Sequence, residues 1–380
     1  MNVKINFFIT TYFDFINCKN ENHLLDVGVF IKDYINKISL IYENFNFHSI
    51  NNINENIEIT NNDYLFITEI YSNEYMNYIF ELLPKFNKNN IIFFGFECQS
   101  HPCHKYKLTN DFFNKIGYSF CNYDFNLYNF TSKNYFIPTY HYIYYKYQKN
   151  TLSKWTNFEI IDDTNNIKLK NNINVLFNQK KFIINNPYNG YNEFRNKIIY
   201  KFKDRFNSFK FYGNDIDTIK YFKNDTIIEN NIGNTPPYKR TLYKMNKFIE
   251  YKFILIIENS NIYSYISEKI IDGITSGSLP IYYGYHDIDL FFPDLFDNGV
   301  INGNKYSFND LFKLLETMDE EEYNIRLNNI KKHIEKYFIL FSEYTCIKYL
   351  LCNVFDFIEQ DEYTLILDNI NKNIINKYNN

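Results

Sequence analysis

Tyr251-Lys252-Phe253-Ile254-Leu255-Ile256-Ile257-Glu258-Asn259-Ser260-Asn261-Ile262-Tyr263-Ser264-Tyr265-Ile266-Ser267-Glu268-Lys269-Ile270, followed by Ser278-Leu279-Pro280-Ile281-Tyr282-Tyr283-Gly284, decides the fold. Phe253 to Ile257 is an unbroken apolar run, the pattern of a parallel strand covered on both faces. Ser267 to Ser276 then places Ile270, Ile271 and Ile274 at helical spacing, and Leu279 to Tyr283 supplies the next strand. Gly277 suits the helix C-cap, and Pro280 follows as a stop. The unit is βαβ, so the sheet is parallel and the fold class is α/β. A parallel strand delivers Glu258 and Asn259 to its C-terminal edge, where open α/β sheets bind ligands.

Two more units of this kind lie upstream. Tyr64 to Ile70, Glu74 to Phe86 and Ile91 to Phe96 read as strand, helix and strand, after a strand over Val3 to Phe13 and a helical stretch over 24–42. Residues 46–62 read as loop, and 122–148 as aromatic-rich and irregular. Phe182 to Asn185, Tyr191 to Phe206 and Phe209 to Tyr212 form the third unit, behind an Asn-laden linker over about 160–180. The pattern is helical from Ser307 to Gln360, and the last twenty residues read as a polar tail with some apolar content. The expected division is 1–155, 156–350, and a C-terminal helix and tail over 351–380.

Composition bounds the function. The 380 residues suffice for two cores, and a hydrophobic fraction of 45% excludes wholesale disorder. A net charge of −4 provides no general cationic field, which argues against non-specific binding of nucleic acid or an anionic membrane. The chain has 61 Asn and no Ala, the residue set of A/T-rich codons, so a single Asn or Tyr says little. Asn falls from twelve in 151–200 to three in 251–300, so that drift is resisted around the quoted segment. Arg occurs four times, three of them within 195–240 (Arg195, Arg205 and Arg240). Six scattered Cys do not make a disulfide scaffold, and no signal peptide or uncharged membrane-length run is evident, so a cytoplasmic protein is expected.

Ser264 or Ser267 can cap the helix, with Glu268 and Lys269 in its first turn. A cation there opposes the helix dipole. Either it is solvated opposite a capping Glu, or it serves an anionic guest such as a nucleotide diphosphate. Glu258-Asn259-Ser260, Tyr265-Ile266-Ser267-Glu268-Lys269 and Pro280-Ile281 with Gly284 match, in order and spacing, the donor-binding signature of the α-1,3-fucosyltransferase family. The chain resembles that family, with Ile257 for the usual Phe and Ser267 for Thr. Asn185-Asn186-Pro187 and Phe194-Arg195-Asn196 are similar to its next upstream patch, where an Arg approaches the pyrophosphate. Ile91 to Glu97 resembles the strand whose Glu acts as base, and Ile137-Pro138 a further short patch.

The resemblance implies a GT-B enzyme, with two Rossmann-like domains whose parallel sheets face an interdomain cleft. It further implies inverting transfer of L-fucose from GDP-fucose to an acceptor-sugar hydroxyl, without cofactor or metal. Glu97 would be the catalytic base, and Arg195, Asn259, Tyr265, Glu268 and Lys269 would bind the donor. The partners would be a nucleotide sugar and a glycan, with no nucleic acid. A different nucleotide-sugar donor, or an inactive sugar-binding relative, is the alternative. Cys98, His101, Cys103 and His104 are too tightly spaced to wrap one tetrahedral zinc, and Asp215/Asp217 and Asp287/Asp289 lack the setting of a metal-binding acid pair. The tyrosines of 140–147 have too few cations among them for a base-stacking surface.

Overall fold

A computed structural model describes residues 5–10, 45–49, 58–67, 73–95, 108–121, 132–135, 175–179, 190–206, 210–213, 226–227, 251–258, 261, 265–267, 269–275, 277–340, 343–356 and 358–378. The chain forms two compact units, 1–142 together with 340–380, and 143–339.

The first unit holds β1 (Ile5–Thr10), β2 (Phe45–Ser49), β3 (Tyr64–Ile67), β4 (Ile91–Phe94), β5 (Tyr118–Phe120) and β6 (Lys133–Tyr135) in the order β2-β1-β3-β4-β5-β6. Every pairing is parallel. Helices α1 (Asn73–Leu82) and α2 (Asn110–Phe113) contribute to its core, where Phe93 meets Phe112 and Phe113 edge-on. Residues 46–62, expected as loop, begin inside β2. Its Phe-Asn-Phe-His alternation is a strand signal hidden by the Asn background.

The second unit holds β7 (Val175–Gln179), α3 (Gly190–Arg205), β8 (Lys210–Gly213), β9 (Thr226–Ile227), β10 (Phe253–Ile257), α4 (Lys269–Thr275), β11 (Leu279–Tyr283), α5 (Pro293–Phe296), β12 (Ile301–Asn302), α6 (Phe308–Thr317) and α7 (Glu320–Leu340), the last residue of which already belongs to the first unit. Its sheet runs β12-β11-β10-β7-β8-β9, again parallel throughout. The expected linker over 160–180 therefore contains the first strand of this sheet, because Val175-Leu176-Phe177 is a short apolar run among Asn and Lys. The strand expected over 182–185 lies outside the described residues.

β10 and β11 are buried at every position and pair from Phe253↔Leu279 to Ile257↔Tyr283. Gly277 takes φ 77°, the left-handed conformation expected just past the helix end. Pro280 sits inside β11 without breaking the ladder. The Leu279 N–H donates to Lys252 O, so the alternate residue faces β12, whose pairing starts one residue later at Ile281↔Ile301.

The polar tail expected at the C-terminus is instead α9 (Glu362–Tyr378), preceded by α8 (Glu343–Val354). Leu367, Ile370 and Ile374 form the buried stripe of α9. Asp361 and Thr364 cap it reciprocally, Thr364 N–H donating to Asp361 Oδ1 at 2.9 Å and Asp361 N–H to Thr364 Oγ1 at 2.8 Å. α8 and the residue after it pack on the sheet of the first unit, Phe355 against Phe7 and Tyr64, and Tyr349 against Tyr135. That packing is why 340–380 groups with the first unit, where the sequence suggested a boundary at 350. Among the described residues no helix is long and apolar enough to cross a membrane.

Candidate active site

Relabelled in order of appearance, the second sheet reads 6-5-4-1-2-3, the strand order of dinucleotide-binding domains. Its direction reverses between β7 and β10, and such a reversal opens a crevice at the carboxyl ends of the two strands. The segments leaving those two strands carry the residues marked by the sequence. Arg195 lies on α3 after β7, and 258–269 follows β10.

Glu258 is the first residue beyond β10, and its N–H continues the ladder to Tyr283 O at 2.8 Å. Its side chain is fully buried. Oε1 accepts the Ser267 N–H at 2.8 Å and Oε2 accepts the Ser267 hydroxyl at 2.5 Å. Ser267 Oγ in turn accepts from Lys269 Nζ at 2.9 Å and from Lys269 N–H at 3.3 Å, which makes Ser267 the cap of α4. Lys269 Nζ stands 3.8 Å from Glu258 Oε2. The lysine is thus drawn inward by a buried carboxylate and is not a fully solvated cation opposite a capping Glu. That ion pair offsets its unfavourable place at the helix start.

Gly284 makes room for this arrangement. A Cβ there would lie 2.6 Å from Glu258 Cγ and 2.5 Å from Tyr282 Oη, distances no carbon atom tolerates. Tyr282 Oη also accepts the Tyr285 N–H at 3.3 Å. Burial, with Asp287 and Asp289 nearby, pushes the Tyr285 phenol well above its ordinary pKa.

Arg195 is 1% exposed, on the face of α3 that buries Ile198, Ile199 and Phe202, so it is no solvated surface arginine. Tyr265 is also 1% exposed, its ring packed within the protein. Glu97, Asn259 and Glu268 lie outside the described residues, as do the Cys98–His104 cluster, Asp215, Asp217 and the tyrosines of 140–147. Asp287 pairs with His286 and Asp289 with Lys305. Among the described residues no three His, Cys, Asp or Glu come together as a metal site would need.

Residues 217–373 match the family model described as glycosyltransferase family 10 (fucosyltransferase), C-terminal. The match covers less than half of the chain and likens this part of it to the C-terminal region of family 10 fucosyltransferases. The family 10 segment contains Glu258, Tyr265, Ser267 and Lys269, while Arg195 and Glu97 precede it. An alpha-(1,4)-fucosyltransferase of Arabidopsis thaliana is 43% identical over 56 residues, 15% of this chain, and the match spans only 13% of that protein. Among solved structures, an alpha1,3-fucosyltransferase covers 90% of this chain and 92% of its own at 14% identity and a TM-score of 0.49. An alpha,alpha-trehalose 6-phosphate synthase from Burkholderia multivorans covers 86% and 74% at 8% identity and a TM-score of 0.44.

The sequence offers Ser267 as one of two candidate caps and puts Glu258 at the ligand-binding edge of the sheet, but does not join either of them to Lys269. The available signal was a carboxylate placed directly after a five-residue apolar strand, with a glycine closing the next strand.

Proposed function

We propose that this chain is an inverting fucosyltransferase, moving L-fucose from GDP-fucose to an acceptor-sugar hydroxyl in an α-1,3-type linkage, without a metal ion. The observation that carries the reading is the Glu258–Ser267–Lys269 network, which lies inside the family 10 segment at the strand reversal of a sheet with dinucleotide-binding order. The second unit would hold the nucleotide and the first the acceptor, in the manner of a GT-B enzyme.

In the reaction the acceptor oxygen attacks the anomeric carbon, the bond from that carbon to the phosphate oxygen breaks, and GDP leaves. Glu97 would take the acceptor hydroxyl's proton as the new bond forms. Lys269 and Arg195 would meet the charge growing on the diphosphate, the lysine as a point charge and the arginine with its two-pronged fork. Two cations at the leaving group do the electrostatic work for which other transferases use a divalent ion. Asn259, Tyr265 and Glu268 would contact ribose or fucose. The scatter of six cysteines suits a reducing, cytoplasmic setting.

A radiolabelled donor screen with GDP-fucose, GDP-mannose and UDP-sugars, run with and without a chelator, tests the reading. Transfer from GDP-fucose alone at a chelator-independent rate is expected, with the anomeric configuration inverted by NMR. Acceptors blocked at O3 should fail and those blocked at O4 should react. Use of UDP-sugars with GDP-fucose ignored would overturn the donor assignment.

A further inference from the structure

The buried carboxylate does something that its own inaccessibility makes specific. The Glu258 side chain is 0% exposed and both its oxygens are engaged by Ser267, whereas the Lys269 side chain is 21% exposed, so of the two it is the lysine that is open to a ligand. Any influence of Glu258 on a ligand has to pass through its neighbours. Both its oxygens accept hydrogen bonds from one residue, Ser267, nine positions along the chain. The Ser267 hydroxyl has one proton and two lone pairs. The proton goes to Glu258 and the lone pairs receive Lys269 N–H and Nζ, so its capacity is filled by this network and it acts as a relay.

We propose that Glu258 is the positioning residue of the phosphate grip: acting through Ser267, it fixes where the Lys269 ammonium stands at the crevice. The inference rests on the proposed reading of Lys269 as a ligand of the donor diphosphate. A buried charge left alone is costly, and here the expense is offset by two short hydrogen bonds and the nearby ammonium. Gly284 belongs to the same device, because a side chain at 284 would occupy the space of the Glu258 methylenes.

GDP binding to the full chain, measured by titration calorimetry, tests this with a double-mutant cycle of Glu258→Gln and Lys269→Met. Each single change is expected to weaken GDP by about tenfold or more, and Glu258→Gln in the Lys269→Met background to change it by less than about twofold. A purely structural role of Glu258 would give the same loss in both backgrounds, and that result, or no loss in either, overturns the proposal. Unchanged GDP affinity in Lys269→Met alone would instead overturn the underlying reading of the lysine. If Glu258→Gln does not fold, Ser267→Ala replaces it in the cycle, because it removes the relay and leaves the buried carboxylate and the Ser267 N–H in place. Loss of GDP affinity with Lys269 present and none in the Lys269→Met background supports the proposal, and equal losses overturn it.

Discussion

Both sheets have six parallel strands, but they reverse at different places. The second reverses between β7 and β10, and the segments that follow those two strands carry Arg195 and the Glu258–Lys269 network. The first reverses between β1 and β3, whereas Glu97, the expected base, follows β4, one strand further along. Strand order alone therefore accounts for a ligand crevice beside Lys269 and leaves Glu97 to its motif. At the reversal of the first sheet stands another polar pair, Thr10 at the end of β1, hydrogen-bonded through Oγ1 to Tyr75 Oη at 2.9 Å. The difference separates two kinds of argument. In the second unit topology and motif agree on one spot, and in the first they point to neighbouring ones.

Substitutions in each unit can break that contrast. Glu97→Gln should have the largest effect, slowing transfer by about 10² to 10⁴-fold while GDP affinity stays within about twofold, measured by initial rates and calorimetry. A parallel loss of GDP binding would move Glu97 out of the acceptor side. Arg195→Lys should weaken GDP by about ten- to a hundredfold, since an ammonium cannot copy the planar fork. Unchanged GDP affinity would reduce Arg195 to a packing residue. For the first crevice, Tyr75→Phe should raise the acceptor KM by roughly three- to tenfold with GDP affinity unaltered, by loss of one buried hydroxyl contact. A lower melting temperature with an unaltered KM would leave that crevice without a ligand role.

The smallest effect concerns stability. Lys336, hydrogen-bonded to Asp294 at 2.6 Å, holds that carboxyl below its usual pKa against the opposing pull of burial, with help from Tyr337 and His333. In the first unit burial raises Asp361, but Lys348 and Thr364 together outweigh it and the net shift is downward. A carboxyl with a depressed folded-state pKa adds stability that is complete above its unfolded value and lost as pH falls through the folded one. Asp294→Asn should cost about 1 kcal/mol at pH 7 by urea titration, and progressively less as pH falls below the ordinary carboxyl range toward the depressed folded-state value. Asp361→Asn should act likewise through the other unit, and unfolding in two separately shifted transitions would distinguish them.

How far the sequence could be read depended on how much Asn each segment carries. In the Asn-poor stretch, Phe253 to Tyr283, strand, helix and strand lie within two residues of expectation, and Gly277 has the backbone its position demanded. Where Asn is dense, β2 and β7 read as loop and linker, because five-residue strands offer only two or three apolar positions against a background that mimics turns. The burial of Arg195 was written in the spacing of 195, 198, 199 and 202, one helical face, but a charged residue at the head of a stripe reads as its solvent edge. Glu258 is harder. A carboxylate ending a strand has the same sequence signature whether it faces a ligand or, as here, turns back onto a serine. Its partner stands nine residues along the chain, a pairing that no local periodicity encodes.

The grouping of 340–380 with 1–142 has a consequence for synthesis. During translation the whole of 143–339 is made before Tyr349 and Phe355 can cover Phe7, Tyr64 and Tyr135. The nucleotide-type sheet can therefore close first, while the earlier-made sheet waits with aromatic surface uncovered. Nascent chains stalled before residue 340 should accordingly be protease-resistant in the later half and chaperone-dependent in the earlier one.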